Sequence, residues 1–262
     1  MISGLELPGL QPGNSEIEKI YCLFRDIGNT SWQQNYKTHL IAFVKHFLSL
    51  GNRIIAFDIK DSTQINHVNY FKVDITQKQQ VETALKHIEC VDILINNAGA
   101  QVFTDFTERT EDELDFVINV NLKGTIFMIQ GVFNMFMKHK KKGCIINVGS
   151  HYGVVSGDMR LYSKGDRKTS EIYGATKAGV IHLSKYLATY MAPYNVRVNC
   201  ISPGGIFNHQ DEVFVKKYSA KVPLKRMGNE NELLSTIEYL MSEDSSYVTG
   251  QNIIVDGGFT AW

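Results

Sequence analysis

Cysteine is scarce and scattered in this 262-residue chain: Cys22, Cys90, Cys144 and Cys200 lie far apart and form no Cys-x-x-Cys pair. That argues against a disulfide framework or a thiolate zinc site, so no metal is expected and a reducing compartment fits. Cys144 and Cys200 stand in apolar, strand-like runs, where cysteine is usually a small buried hydrophobe. Net charge is missing too: 27 basic residues balance 27 acidic ones, so no global field recruits nucleic acid or an anionic membrane. The densest basic run, Lys138 to Lys142, reads as the solvated end of an apolar helix, favoured by the helix dipole. No uninterrupted apolar run long enough to span a bilayer is apparent, and Glu16, Glu18 and Lys19 interrupt any secretory h-region. A cytoplasmic protein without membrane or nucleic-acid partners is expected. Repeats, low-complexity tracts and linkers are absent, and 44% hydrophobic content suits one sizeable core.

From about residue 39 onward, strand and helix patterns alternate. The run HLIAFVKHFLSL, His39 to Leu50, is apolar at helical spacing and stops at Gly51, a C′ glycine. Short buried-strand patterns follow at Arg53 to Asp58, Phe71 to Ile75 and Asp92 to Asn96, with Thr76 expected to cap a helix over Gln77 to Glu89. Thr110 and Glu113 form a capping box for a long helix reaching about Lys138. Strands at Cys144 to Val148, Val196 to Ile201 and Asn252 to Val255 alternate with helices over Glu171 to Ala192 and Asn229 to Met241. Apolar strands between helices predict an α/β fold, a doubly wound, Rossmann-like parallel sheet, with ligand beyond the strand C-terminal ends.

Tyr173 and Lys177 are one helical turn apart and project from one face, and Ser150 ends an apolar strand upstream of them. A tyrosine with a reference pKa near ~10 is a poor base at neutral pH, and lowering it by ~3 units takes ~4 kcal/mol. An ammonium ~4 Å away at an effective dielectric of ~20 supplies about that much. With Ser150 holding the substrate oxygen, this is equipment for moving a proton on and off a carbinol oxygen.

The residues Asn96 to Gly99, Val120 to Leu122, Ser150, Tyr173-x-x-x-Lys177, Pro203-Gly204 and Val255 to Gly258, in that order, resemble the short-chain dehydrogenase/reductase family over residues 41–262. The resemblance implies an NAD(P)-dependent oxidoreductase interconverting a secondary alcohol and a ketone. It makes Tyr173 the acid/base, Ser150 the substrate-orienting group, and Lys177 the group that tunes Tyr173 and contacts the nicotinamide ribose. Asn121 would support a proton-relay water; without the resemblance it reads as a helix residue satisfying backbone. The implied cofactor contacts are Asp58, Asp74, Ile75, Asn97, Ala98, Gly99, Tyr173, Lys177, Pro203, Gly204 and Ile206. Asp58, a carboxylate at a strand end, fits a ribose with free hydroxyls and repels a 2′-phosphate, which favours NAD over NADP. Asp74 reads equally as a strand-end cap. A homo-oligomer, tetramer or dimer, is implied as well.

One absence runs against the family. Where its G-x-x-x-G-x-G loop should begin, near residue 34, the chain has Gln34 to Leu40 and no glycine, although glycines there admit pyrophosphate to the backbone and helix N-terminus. Residues 28–33 make a poor central strand. Residues 1–40 are therefore expected to replace the usual first strand and glycine loop, leaving the sheet without that strand and the cofactor weakly held, ahead of an oxidoreductase domain over 41–262. Between Ser150 and Tyr173 lie 22 residues, a longer interval than the family usually has. The added segment, Ser156 to Lys168, fits a lid or substrate contact, or a surface loop or subunit contact. With His151 to Val154 and the closing Gly257 to Trp262, it resembles the branch acting in flagellin modification and surface-glycan biosynthesis, implying a sugar or nucleotide-sugar substrate. The rival expectation is a scaffold of the same fold without turnover.

Overall fold

The computed structural model describes residues 18–22, 36–59, 66–163 and 168–262. Side chains are described from Phe43 onward. The strands are β1 (Glu18–Cys22), β2 (Arg53–Asp58), β3 (Val68–Lys72), β4 (Ile93–Asn96), β5 (Gly143–Val148), β6 (Val196–Pro203) and β7 (Asn252–Val255). They form one 7-stranded sheet in the order β3-β2-β1-β4-β5-β6-β7, every pair parallel. Sequential order reverses between β1 and β4, so a crevice opens at the carboxyl ends of the strands beside that point.

The sheet corrects one expectation. A central first strand is present, Glu18–Cys22, seated between β2 and β4 with Ile20 opposite both Ile55 and Leu94. It lies upstream of residues 28–33, which are outside the described residues, as is the span 23–35 between β1 and the next helix. Backbone pairing on both sides is what a doubly wound sheet demands at that place, and EKIYC meets it.

The helices are α1 (Tyr36–Ser49), α2 (Lys78–Leu85), α3 (Glu111–Lys140), α4 (Glu171–Met191), α5 (Glu212–Lys221) and α6 (Asn231–Met241). Gly51 ends α1 with φ +76, the left-handed conformation a C′ glycine takes cheaply. The predicted capping box opens α3: Thr110 Oγ1 accepts from the Glu113 amide and Glu113 reaches back to the Thr110 amide. The cap of α2 differs from expectation. Thr76 turns its amide and hydroxyl to Asp74 Oδ1 at 2.9 and 2.8 Å, so Gln77 becomes the cap residue and makes no side-chain cap bond.

Strand alternation sorts the core onto two faces. Ile55, Phe57, Leu94, Ile145 and Val198 pack with α2, α3 and α4, while Ile54, Ala56, Ile93, Ile95, Ile146 and Ile201 pack with α1 and α6. By length and composition α3 could cross a membrane, but polar residues such as Asn119, Asn121 and Lys123 interrupt it and half of its apolar window is buried, as a sheet-covering helix requires. On the face covered by α2, α3 and α4 runs a buried polar chain. Asn96 Nδ2 donates to Asn147 Oδ1 (2.8 Å), Asn147 Nδ2 to Ser184 Oγ (2.9 Å), and Ser184 Oγ to the Val180 carbonyl (2.8 Å). This ties β4, β5 and α4 together below the crevice.

Asn147→Ala should therefore destabilise the protein by about 1–3 kcal/mol or more, because it strands the polar groups of Asn96 and Ser184 in the core. Urea unfolding checks this, with Tyr247→Ala, at a fully exposed side chain, as the neutral comparison.

Candidate active site

At the carboxyl ends of β4, β5 and β6 lies a cleft of about 510 Å³. Asn97, Gly99, Ser150, Tyr173, Lys177, Pro203, Gly204 and Ile206 all line it. The fold thus brings together Asn97 and Ile206, 109 positions apart in the chain. Asn121, Ala98 and Ile75 stand behind the wall, buried. Asp58 is buried at the end of β2. The Asp74 side chain is a turn cap, as its blander reading has it, holding Thr76.

Lys177 is 3% exposed, and its Nζ donates to the Val148 carbonyl at 2.8 Å, at the end of β5. Burial disfavours its charge and brings its pKa down to about 8. The same ammonium sits 5.7 Å from the Tyr173 ring centroid, and a Cβ on Gly99 would come within 3.5 Å of it. Gly99 thus lies in van der Waals range of the lysine at the cleft wall. Ser150 is buried, with extended backbone, and its hydroxyl accepts from the Tyr152 amide at 3.1 Å, opening the short turn His151–Gly153. The hydroxyl hydrogen remains for a ligand. Gly153 makes this arrangement possible: a Cβ there would press on the backbone of Lys177 and Ala178 at 2.8 Å.

Asn121 occupies a π-helical stretch, Asn119–Gly124, within α3. Such bulges recur at functional sites because they re-aim side chains out of helical register. Here the amide of Asn121 grips the loop after β4, with Oδ1 accepting from the Ala100 amide (2.7 Å) and Nδ2 donating to the Ala100 carbonyl (3.0 Å) and Thr176 Oγ1 (2.9 Å). Thr176 in turn donates to the Tyr173 carbonyl at 2.9 Å. The Asn121 carbonyl accepts from Thr125 Oγ1 at 2.8 Å. Its backbone-satisfying reading is therefore present in the structure, and it links the β4 loop to the Tyr173 helix.

The added segment is described at residues 156–163 and 168, with 164–167 outside the described residues, and its 156–163 part is docked beside the cleft. Asp158 accepts from Arg160 and from Lys221 Nζ (2.9 Å), and these bonds hold its carboxyl well below the usual range. Leu161 joins Tyr218, Val222, Met227 and Phe259 in a small core, and Tyr162 meets Phe214 at 5.6 Å between centroids. Tyr162 and Thr169 line the cleft. The sequence reading missed much of the remaining wall: Gln101, Phe103, Asn208, Gln210, Phe214 and Tyr218. These come from loops and from α5, whose amphipathic pattern carries no motif. Cys144 and Cys200 are buried, their thiols pushed up to about 11, so neither is a nucleophile. Among the described residues no cluster of metal-ligating side chains occurs.

A family model described as enoyl-(acyl carrier protein) reductase matches residues 41–260. The 3-oxoacyl-[acyl-carrier-protein] reductase FabG of Thermotoga maritima is 34% identical over 199 residues, 73% of this chain and 76% of that protein. The ribulose-forming D-arabinitol 2-dehydrogenase of Candida tropicalis is 31% identical over 216 residues, 78% of this chain and 74% of that protein. The crystal structure of a short-chain dehydrogenase from Leptospira borgpetersenii with bound NAD+ superposes with a TM-score of 0.84 at 38% identity, covering 99% of this chain and 100% of that one. The cleft geometry and these matches agree, and the chain belongs to the short-chain dehydrogenase/reductase family of oxidoreductases.

Proposed function

We propose that this chain interconverts a secondary alcohol and a ketone on a sugar or nucleotide-sugar, with NAD preferred over NADP, in surface-glycan or flagellin-glycan biosynthesis. The observation that carries the acid–base half is the buried Lys177 ammonium beside Tyr173. Tyr173 takes the proton from the substrate hydroxyl in oxidation and returns it in reduction, and the positive charge of Lys177 stabilises the phenolate between those events. Ser150 donates its hydroxyl hydrogen to the substrate oxygen. Asn121 positions the β4 loop and supports a proton-relay water.

Gly99 and Lys177 suit the nicotinamide ribose, and the buried carboxylate of Asp58 suits the adenosine ribose. NAD(H), when bound, supplies the hydride acceptor or donor. The Leptospira relative carries NAD+, which supports the same choice here. Gln101 and Asn208 line the cleft with polar side chains, which suit a hydroxyl-rich substrate. Exposed Tyr186 and Tyr190 on α4 support assembly into a homo-oligomer. A cytoplasmic setting agrees with free Cys90, Cys144 and Cys200.

One observation favours a second reading, a scaffold without turnover. The stretch Gln34 to Leu40, of which Gln34 and Asn35 lie outside the described residues, has no glycine. Calorimetric titration with NAD+ and NADP+ separates the two readings. Tighter NAD+ binding, with the preference narrowed in Asp58→Ala, supports the enzyme; no heat from either cofactor with an intact fold supports the scaffold.

Tyr173→Phe should lower kcat by roughly 10²–10⁴-fold while leaving the melting temperature in place, since only the proton-carrying hydroxyl is removed. Steady-state rates at saturating alcohol measure this, and an unchanged kcat would remove Tyr173 from the mechanism. Lys177 has a further signature in stability. Its folded pKa of about 8 lies below the unfolded value, so between the two the unfolded chain holds more protons and rising pH favours the fold. Unfolding free energy should climb from about pH 8 toward ~10.4, the unperturbed lysine value, and Lys177→Met should flatten that climb.

A further inference from the structure

Thr176 stands between Tyr173 and Lys177 on α4, immediately before the lysine, and is 1% exposed. It lies outside the cleft lining, yet its hydroxyl is fully engaged. Oγ1 donates to the Tyr173 carbonyl at 2.9 Å and accepts from Asn121 Nδ2 at 2.9 Å. Asn121 Nδ2 spends its other hydrogen on the Ala100 carbonyl (3.0 Å), while Oδ1 accepts from the Ala100 amide (2.7 Å). The backbone donor and acceptor of Ala100 fix which way this side-chain amide points, so its remaining hydrogen is directed at Thr176. Close helix contact permits the reach: a Cβ on Gly179 would come within 2.9 Å of Leu122. The loop after β4, the π-helical stretch of α3 and the first turns of α4 thus meet at one hydroxyl.

We propose that Thr176 is a positioning residue for the acid–base pair: its hydroxyl locks the first turns of α4 to the loop after β4 and so sets the separation of the Lys177 ammonium from the Tyr173 hydroxyl. The two groups are held from different sides. Lys177 Nζ is anchored to the Val148 carbonyl at the end of β5, whereas Tyr173 travels with the first turn of α4. Slack between that turn and the sheet therefore lengthens the ammonium–phenolate contact, and a fully satisfied buried hydrogen-bond chain removes slack. Besides each other, the titratable groups facing the pair are Tyr152, from the turn after Ser150, and Cys200, from β6; burial keeps both protonated. This inference rests on the proposed acid–base roles of Tyr173 and Lys177, and it gives Thr176 no contact with substrate or cofactor.

The test reads the ionisation of Tyr173 directly, in the full chain carrying 13C-labelled tyrosine, with its resonance identified by its loss in Tyr173→Phe. Thr176→Val keeps the side-chain shape and removes the hydroxyl. Its Tyr173 midpoint should rise by about 0.5–1 pH unit, the effect of lengthening a ~4 Å charge contact by ~1 Å at an effective dielectric of ~20. Thr176→Ser returns a hydroxyl and should bring the midpoint back to the native value. In a Lys177→Met background, Thr176→Val should move the midpoint no further, because residues that act as one unit do not add. If circular dichroism shows Thr176→Val unfolded, Thr176→Ala carries the same comparison. A native midpoint in the folded variant, or a rise of equal size without Lys177, overturns the proposal. A native-protein midpoint near ~10, the ordinary tyrosine value, that Lys177→Met leaves in place shows instead that the acid–base reading has failed, and the role of Thr176 falls with it.

Discussion

A single buried ammonium organises this site. Lys177 is almost wholly withdrawn from water, and a charge in that position persists only where it is partnered. The Val148 carbonyl at the end of β5 supplies the partner, and the approach requires α4 to lie tight against the turn after Ser150. Gly153 permits that closeness, since any side chain would strike the Lys177 backbone. The alignment of Ser150, Tyr173 and Lys177 thus follows from solving one electrostatic problem.

Two further ties keep the ammonium facing the cleft. The Asn96–Asn147–Ser184 chain locks β4, β5 and α4 in register beneath it. The amide of Asn121, thrown out of helical register by the π-helical stretch, clamps the loop carrying Gly99 and reaches Thr176 on α4. Every group in these chains has a partner, which is the condition under which a buried polar network rigidifies a site instead of weakening it. The segment after Ser156 adds a third wall. Its Asp158–Lys221 pair and the rings of Tyr162 and Phe214 join it to α5, so this side of the cleft is built from two elements remote in sequence.

The parallel architecture was legible because strands buried on both faces must be continuously apolar, and RIIAFD and GCIINV are. The set Asn121, Ser150, Tyr173 and Lys177, proposed here as the acid–base machinery, was legible because its order and spacing are unusual in combination. Other features were hidden for physical reasons. EKIYC is short and carries two charges, so nothing local marks it as the central strand; only pairing with β2 and β4 selects it. Thr76 looked like a helix cap, but Asp74, two residues before it, competes for the same hydroxyl and amide. The membrane-like composition of α3 reflects two long contact faces, one on the sheet and one on neighbouring helices.

The sequence by itself determined the alternation of strands and helices, the one-turn spacing of Tyr173 and Lys177, and the balance of charge, because each depends on residues close along the chain or on simple counts. The tertiary structure alone decided which segment fills the centre of the sheet, which face of Asn121 is spent on backbone, and that the Thr176 hydroxyl joins Asn121 to the turn carrying Tyr173. Those are matters of burial and of partners far apart in the chain, and a hydrogen bond between Asn121 and Thr176, 55 positions apart, has no local signature.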